Sequence, residues 1–162
     1  MRPVRLSSDL LSAMVAHART TYPDECCGFL IATQDPTEPA SPRAIVAVEP
    51  APNEFEGERR RRFLLRPEEL AAAERRVEGT DRVVAGFYHS HPDHPARPST
   101  FDRDHAWPWY TYIVLGVTAS GLDGVGAFEL DPDHGEFGPV GLAVEPTADS
   151  GSGKVSKTLR GA

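Results

Sequence analysis

An apolar run that reads as a strand over residues 83–89 passes without a break into His89-Ser90-His91. A loop holding Pro92, Pro95 and Pro98 follows, and then Ser99 and Asp102. No other stretch limits the fold as much. Side chains two apart on a strand project from one face. His89 and His91 therefore point to the same side, and Ser90 points away, free to pack or bond behind them. Ser99 and Asp102, three apart, share one face of a helical turn. A compatible fold must carry the short helix that begins at Ser99 back over the end of the strand, so that both imidazoles and the carboxylate can meet.

Two imidazoles and a carboxylate at one point supply three ligands for a zinc ion whose fourth position is water, with the water pKa lowered from 15.7 to about 7. The same residues admit other readings. Ser-x-x-Asp is also a helix-capping pattern, with Ser99 as cap and Asp102 reaching back, and an oxygen used for capping is not expected to serve as a ligand as well. His105, three residues after Asp102, is a rival fourth ligand that would close the site into a structural staple for loop 92–102. His94, between prolines, reads as solvent-exposed, and His17 and His134 are given no role. Hydrolysis also needs a general base that is not a ligand. Glu25, in Pro23-Asp24-Glu25-Cys26-Cys27-Gly28 ahead of a predicted strand, is the candidate, although by spacing alone Asp24, Glu54 and Asp104 are comparable.

The 162 residues fit one domain with a core of its own, and 40% hydrophobic with 25% charged residues fits a globular chain. A formal net charge of -7 argues against a nucleic-acid-binding surface. No apolar run approaches the ~20 residues of a membrane span, and Ser12, His17 and Arg19 interrupt any signal core near the start. The adjacent Cys26 and Cys27 are poorly placed to pair with each other and form no Cys-x-x-Cys, so both read as reduced thiols, in keeping with a cytoplasmic location.

Helices are expected over residues 8–20, from Pro67 onward, and from Ser99 to about His105. Strands are expected at 27–32, 44–48, 62–65, 83–89, 110–117, 125–130 and 140–144, with loops at 34–42 and 50–58. Strands and helices mix without regular βαβ alternation, which favours an α+β domain with a mixed β-sheet flanked by helices. No phosphate-binding glycine loop is present. Residues 1–146 are expected to form the domain and residues 147–162, polar and rich in Gly and Ser, a disordered tail. The run Arg59-Arg60-Arg61-Arg62 reads as part of an edge strand with alternate arginines facing solvent; contact with an acidic face of a partner is the other reading. Trp107 and Trp109 read as core and rim packing under the short helix, with a place in a substrate groove as the alternative.

His89-Ser90-His91-Pro92, the gap to Ser99 and then Asp102 resemble the JAMM motif of MPN+ metalloproteases, and Pro23-x-Glu25-x-Cys27-Gly28 resembles that family's catalytic-glutamate segment. Asn53, Phe63 and the helix after Pro67 resemble the middle of its small bacterial members, so the likeness spans roughly residues 5–145. It implies an MPN/JAB1-type fold similar to cytidine deaminases, with His89, His91 and Asp102 as zinc ligands. Glu25 would hold and deprotonate the attacking water and pass the proton to the leaving amine, and Ser99 would donate a hydrogen bond to the oxyanion. The implied partner is a ubiquitin-like sulfur-carrier protein, cut after its C-terminal Gly-Gly, including release of cysteine from a carrier–cysteine adduct. A zinc-stapled MPN module without catalysis is the alternative. A zinc deaminase is disfavoured, because His-x-Glu and Pro-Cys-x-x-Cys are missing.

Overall fold

The computed structural model describes residues 2–33 and 42–147. Among these, eight strands form one sheet with three helices against it. In chain order the elements are β1 (Val4–Ser7), α1 (Ser8–Thr21), β2 (Cys27–Thr33), β3 (Arg43–Ala51), α2 (Pro67–Val77), β4 (Arg82–Pro92), α3 (Thr100–Asp104), β5 (Thr111–Thr118), β6 (Gly121–Leu130), β7 (Phe137–Val140) and β8 (Leu142–Glu145). The spatial order is β7-β6-β5-β4-β2-β3-β1-β8. The sheet is mixed: β4 runs parallel to β5, and β1 parallel to β3 and β8, while the other pairs are antiparallel.

The sequence explains the layering. β2 and β5 are buried on both faces, as their unbroken apolar runs require. Leu30, Ile113 and Leu115 face α1 with its buried Met14 and Ala18; Phe29, Phe87 and Tyr112 face α2 with its buried Ala73. Ser7 caps α1 by accepting from Leu10 N, and Asp9 and Arg19 complement the helix ends. Pro67 occupies the first turn of α2, where no N–H is missed.

The parallel pairing of β4 and β5 places the site. Antiparallel neighbours can be joined by a tight turn, but parallel ones need a crossover. Here residues 93–110 make it, carrying Ser99 and α3 back over β4.

Several expected elements differ. Residues 62–65 form no strand: Leu64 N–H donates to Asn53 Oδ1 and Leu64 O accepts from Glu54 N, so this backbone is held by a loop. Arg59–Arg61 lie in a turn, so the edge-strand reading of the arginines does not hold. The strand expected at 140–144 is two strands, β7 and β8, at opposite ends of the sheet and separated by Gly141. β1 was not foreseen. Most of the loop expected at 34–42, and the tail from residue 148, lie outside the described residues. Thr147 itself hydrogen-bonds Ser8 and Asp9 at the start of α1.

Candidate metal centre

β4 continues through Pro92, so both histidines lie inside the strand and not at a frayed end. His89 is 0% and His91 6% exposed. Both project to the face occupied by α2 and α3, and Ser90 projects to the other, where its Oγ accepts from Cys26 N at 2.8 Å. Ser90 N also donates to Cys26 O. These bonds, with the Cys27–His89 register between β2 and β4, fix the segment holding Glu25 against the strand holding the histidines.

The Nε2 atoms of His89 and His91 are 3.1 Å apart, and each is 3.1 Å from Asp102 Oδ2. His91 Nδ1 lies 3.0 Å from Pro95 O. A carbonyl can only accept, so Nδ1 carries the proton and Nε2 of the neutral ring presents a lone pair. Three donor atoms thus form a near-equilateral triangle. Zinc bonds of about 2.0–2.1 Å in tetrahedral geometry would separate ligand atoms by about 3.3 Å, so the triangle fits a divalent cation and its two-nitrogen, one-oxygen set suits zinc. His105 adds no atom to this group among the described residues. Its Nδ1 donates to Phe101 O, and its ring stacks on Phe101.

Asp102 combines two tasks that the sequence reading kept apart. Its Oδ2 accepts from Ser99 N at 2.7 Å, and its own N–H donates to Ser99 Oγ at 3.0 Å, a reciprocal capping box. The same Oδ2 completes the triangle. One carboxylate oxygen has more than one lone pair, so capping and ligation do not exclude each other. The cap positions the carboxylate and leaves the Ser99 O–H free to donate. Burial opposes ionisation of Asp102, but His89, His91 and the Ser99 amide outweigh it and hold the carboxyl well below the usual range.

Glu25 is 3% exposed, with Oε1 3.8 Å from His91 Nε2 and Oε2 buried without a partner among the described residues. Burial first, then the Asp102 charge, push its carboxyl up to about 9. A cation in the triangle would oppose that shift. Among the described residues, Asp24, Glu54 and Asp104, its equals by spacing, are not in the metal-competent group and make no hydrogen bond or ion pair with it. Asn53 holds the Glu25 backbone: Nδ2 donates to Glu25 O and Arg62 O, and Oδ1 accepts from Phe55 N and Leu64 N. Phe63 stacks on His89 with centroids 4.5 Å apart. Burial lowers the His89 pKa, which favours the neutral, ligating ring.

Two cavities flank the triangle. One, about 470 Å³, is apolar, with Phe63, Phe87, Phe101, Trp107 and Tyr112 in its wall beside His89 and Asp102. The other, about 510 Å³, has mostly polar residues in its wall: Glu25, His91, His94, Ser99, Arg61 and Arg97. Trp107 lines the apolar groove while its ring packs at the rim against Phe87 and Tyr110, whereas Trp109 is 77% exposed and does not pack beneath the helix.

An α+β domain of MPN/JAB1 type, carrying a His-x-His and a later Asp gathered at one end of its central strands, is the class that the fold and site define. Residues 7–128 match the prokaryotic homologs of the JAB domain, and the chain belongs to this JAMM/MPN family. It is 33% identical over 145 residues to the desampylase of Haloferax volcanii, a match covering 86% of this chain and 95% of the relative. It is 33% identical over 113 residues to the CysO-cysteine peptidase of Mycobacterium tuberculosis, covering 70% and 72% respectively. A JAB1/MPN domain protein from Archaeoglobus fulgidus superposes with a TM-score of 0.54 at 17% identity, covering 86% of this chain and 99% of that one, a likeness of fold alone.

Proposed function

We propose that this chain is a zinc-dependent peptidase that hydrolyses the bond following the C-terminal Gly-Gly of a ubiquitin-like carrier protein. The observation that carries the reading is the convergence of a buried, non-ligating carboxylate, Glu25, on the His89–His91–Asp102 triangle, with the Ser99 hydroxyl close by. The desampylase and CysO-cysteine peptidase likenesses support the substrate class.

His89, His91 and Asp102 would hold the metal, which when bound would polarise the scissile carbonyl and make water more acidic. Glu25, 3.8 Å from His91 Nε2, would take a proton from the attacking water and deliver it to the leaving nitrogen. The Ser99 O–H, with its oxygen already accepting from Asp102 N, would donate to the carbonyl oxygen as charge builds there. The carbon–nitrogen bond breaks, water oxygen joins the acyl carbon, and the products are a carrier carboxylate and an ammonium-bearing leaving group. A diglycine tail suits a narrow approach, because the missing side chains let its backbone come close to the sheet.

The test is to load the protein with zinc, incubate it with carrier proteins extended beyond Gly-Gly, and weigh the products. Cleavage after the second glycine is expected. Glu25→Gln should lower kcat by about 10²–10⁴-fold, the usual contribution of a positioned acid–base group, with the zinc content unchanged. Cleavage at the wild-type rate in Glu25→Gln would remove Glu25 from this role.

A further inference from the structure

The leaving-group side of the site carries a feature the hydrolytic reading does not use. Arg61, in the turn after β3, and Arg97, in the crossover after β4, line the polar cavity that also takes in Glu25 and Ser99. Their guanidinium groups come from segments far apart in sequence. Neither has a hydrogen-bond or ion-pair partner among the described residues. Other arginines of the same region are engaged: Arg59 donates to Phe55 O, Arg62 lies over the Phe101 ring, and Arg66 pairs with Glu54. Two exposed arginines without side-chain partners thus border one cavity in a chain of net charge -7.

The chemistry says which part of a substrate enters there. The group that hands a proton to the departing nitrogen must lie on the side where that nitrogen leaves. Glu25 borders the polar cavity and is absent from the wall of the apolar one. The acyl tail of the carrier then lies toward the apolar groove, and the amine product toward Arg61 and Arg97. Guanidinium forks match carboxylates bidentately. When a single amino acid is joined through its α-nitrogen, its carboxylate is only two bonds from the leaving nitrogen. A lysine isopeptide brings an apolar stem to the same place and no nearby anion.

We propose that Arg61 and Arg97 form a subsite for the free α-carboxylate of the departing residue, so that the enzyme prefers a carrier ending in one added amino acid over a carrier linked to a lysine side chain. This rests on the hydrolytic reading above. The bond broken is the amide between the last glycine and that amino acid. Water supplies the oxygen to the glycyl carbon and the hydrogens to the amine, and no oxidant or reductant takes part.

The test compares a carrier ending Gly-Gly-Ala as the free acid with its C-terminal carboxamide and with a lysine isopeptide. The free acid should be cleaved with kcat/KM at least about tenfold higher than the carboxamide, as expected for a charge-assisted pair. Arg61→Gln and Arg97→Gln should each reduce that ratio, the double variant should bring it near one, and Arg97→Glu should take it below one. A second measurement avoids turnover: calorimetric binding of the two peptides to zinc-loaded Glu25→Gln, with and without the arginine substitutions, should show the same acid-over-amide preference and its loss. Equal cleavage of acid and amide by the wild-type protein would overturn the subsite and leave the hydrolase intact. If no adduct is cleaved at all, the hydrolytic reading fails, and the acid-to-amide binding ratio alone decides the arginine pair.

Discussion

Asn53 uses its whole amide, two donors and one doubly accepting oxygen, to tie together the backbone of Glu25, Phe55, Arg62 and Leu64. It touches neither the triangle nor any reacting atom, so it is a positioning residue. Asn53→Ala leaves two carbonyls and two amides without their partner and frees the segment that carries Glu25. A shift on the order of 1 Å in a reacting group can cost up to about a hundredfold in rate. The expected result is a ten- to hundredfold loss of kcat on a carrier adduct with the zinc content retained. Asn53→Asp keeps the two accepting contacts but cannot donate to either carbonyl, so it should not rescue. Loss of zinc together with activity would show that Asn53 acts on the triangle and not through Glu25. The same residue scale explains what the sequence could tell about the site. His89, His91, Ser99 and Asp102 were legible because short-range geometry, period two on a strand and three on a helical turn, already groups them. Glu25 was not separable from Asp24, Glu54 or Asp104 by such rules, because its approach to His91 depends on the pairing of β2 with β4, a contact that spacing does not encode.

At the scale of elements, the centre of the sheet was readable and its margins were not. β2, β4 and β5 are dense apolar runs buried on both faces, and such runs announce themselves. β1 is four residues with Arg5 in the middle, and it pairs with β3 and β8 from distant parts of the chain. Phe63, Leu64 and Leu65 have the composition of a strand, yet Asn53 supplies a hydrogen bond that a neighbouring strand would have made. The close fit of β2 to β4 gives a test. A Cβ on Gly28 would lie 2.4 Å from the Tyr88 ring and 2.5 Å from Glu49 O. Tyr88 is fully buried and Glu49 O is backbone on β3, so neither can yield cheaply. Gly28→Ala should therefore destabilise by about 1–3 kcal/mol, the usual range for overpacking. In a domain of this size that is a fall of roughly 2–12 °C in Tm, read by thermal unfolding. An unchanged Tm would mean that the three strands are packed less closely here than described.

The whole molecule separates its core from its chemistry. Two apolar clusters, one under α1 and one under α2, close on opposite faces of the sheet without drawing on Asp102 or Glu25. The fold should therefore persist without metal, unlike small domains whose folding depends on it. Without a cation the cost in the centre falls on Glu25, whose carboxyl is buried beside the Asp102 charge, with two imidazole lone pairs crowding the same point. A cation relieves that crowding and binds only the folded arrangement, so it should raise stability by mass action. At zinc a hundredfold above Kd the gain is about 2.7 kcal/mol, or roughly 5–11 °C in Tm for a domain of this length. Chelation should reverse the shift while far-UV circular dichroism stays native. Asp102→Ala should abolish the zinc-dependent rise, and it should also lower the metal-free Tm, because the capping box is lost with the carboxylate. A chelated protein that unfolds outright would place the metal in the folding core, and a zinc-induced rise that survives Asp102→Ala would put the ion somewhere other than the His89–His91–Asp102 triangle.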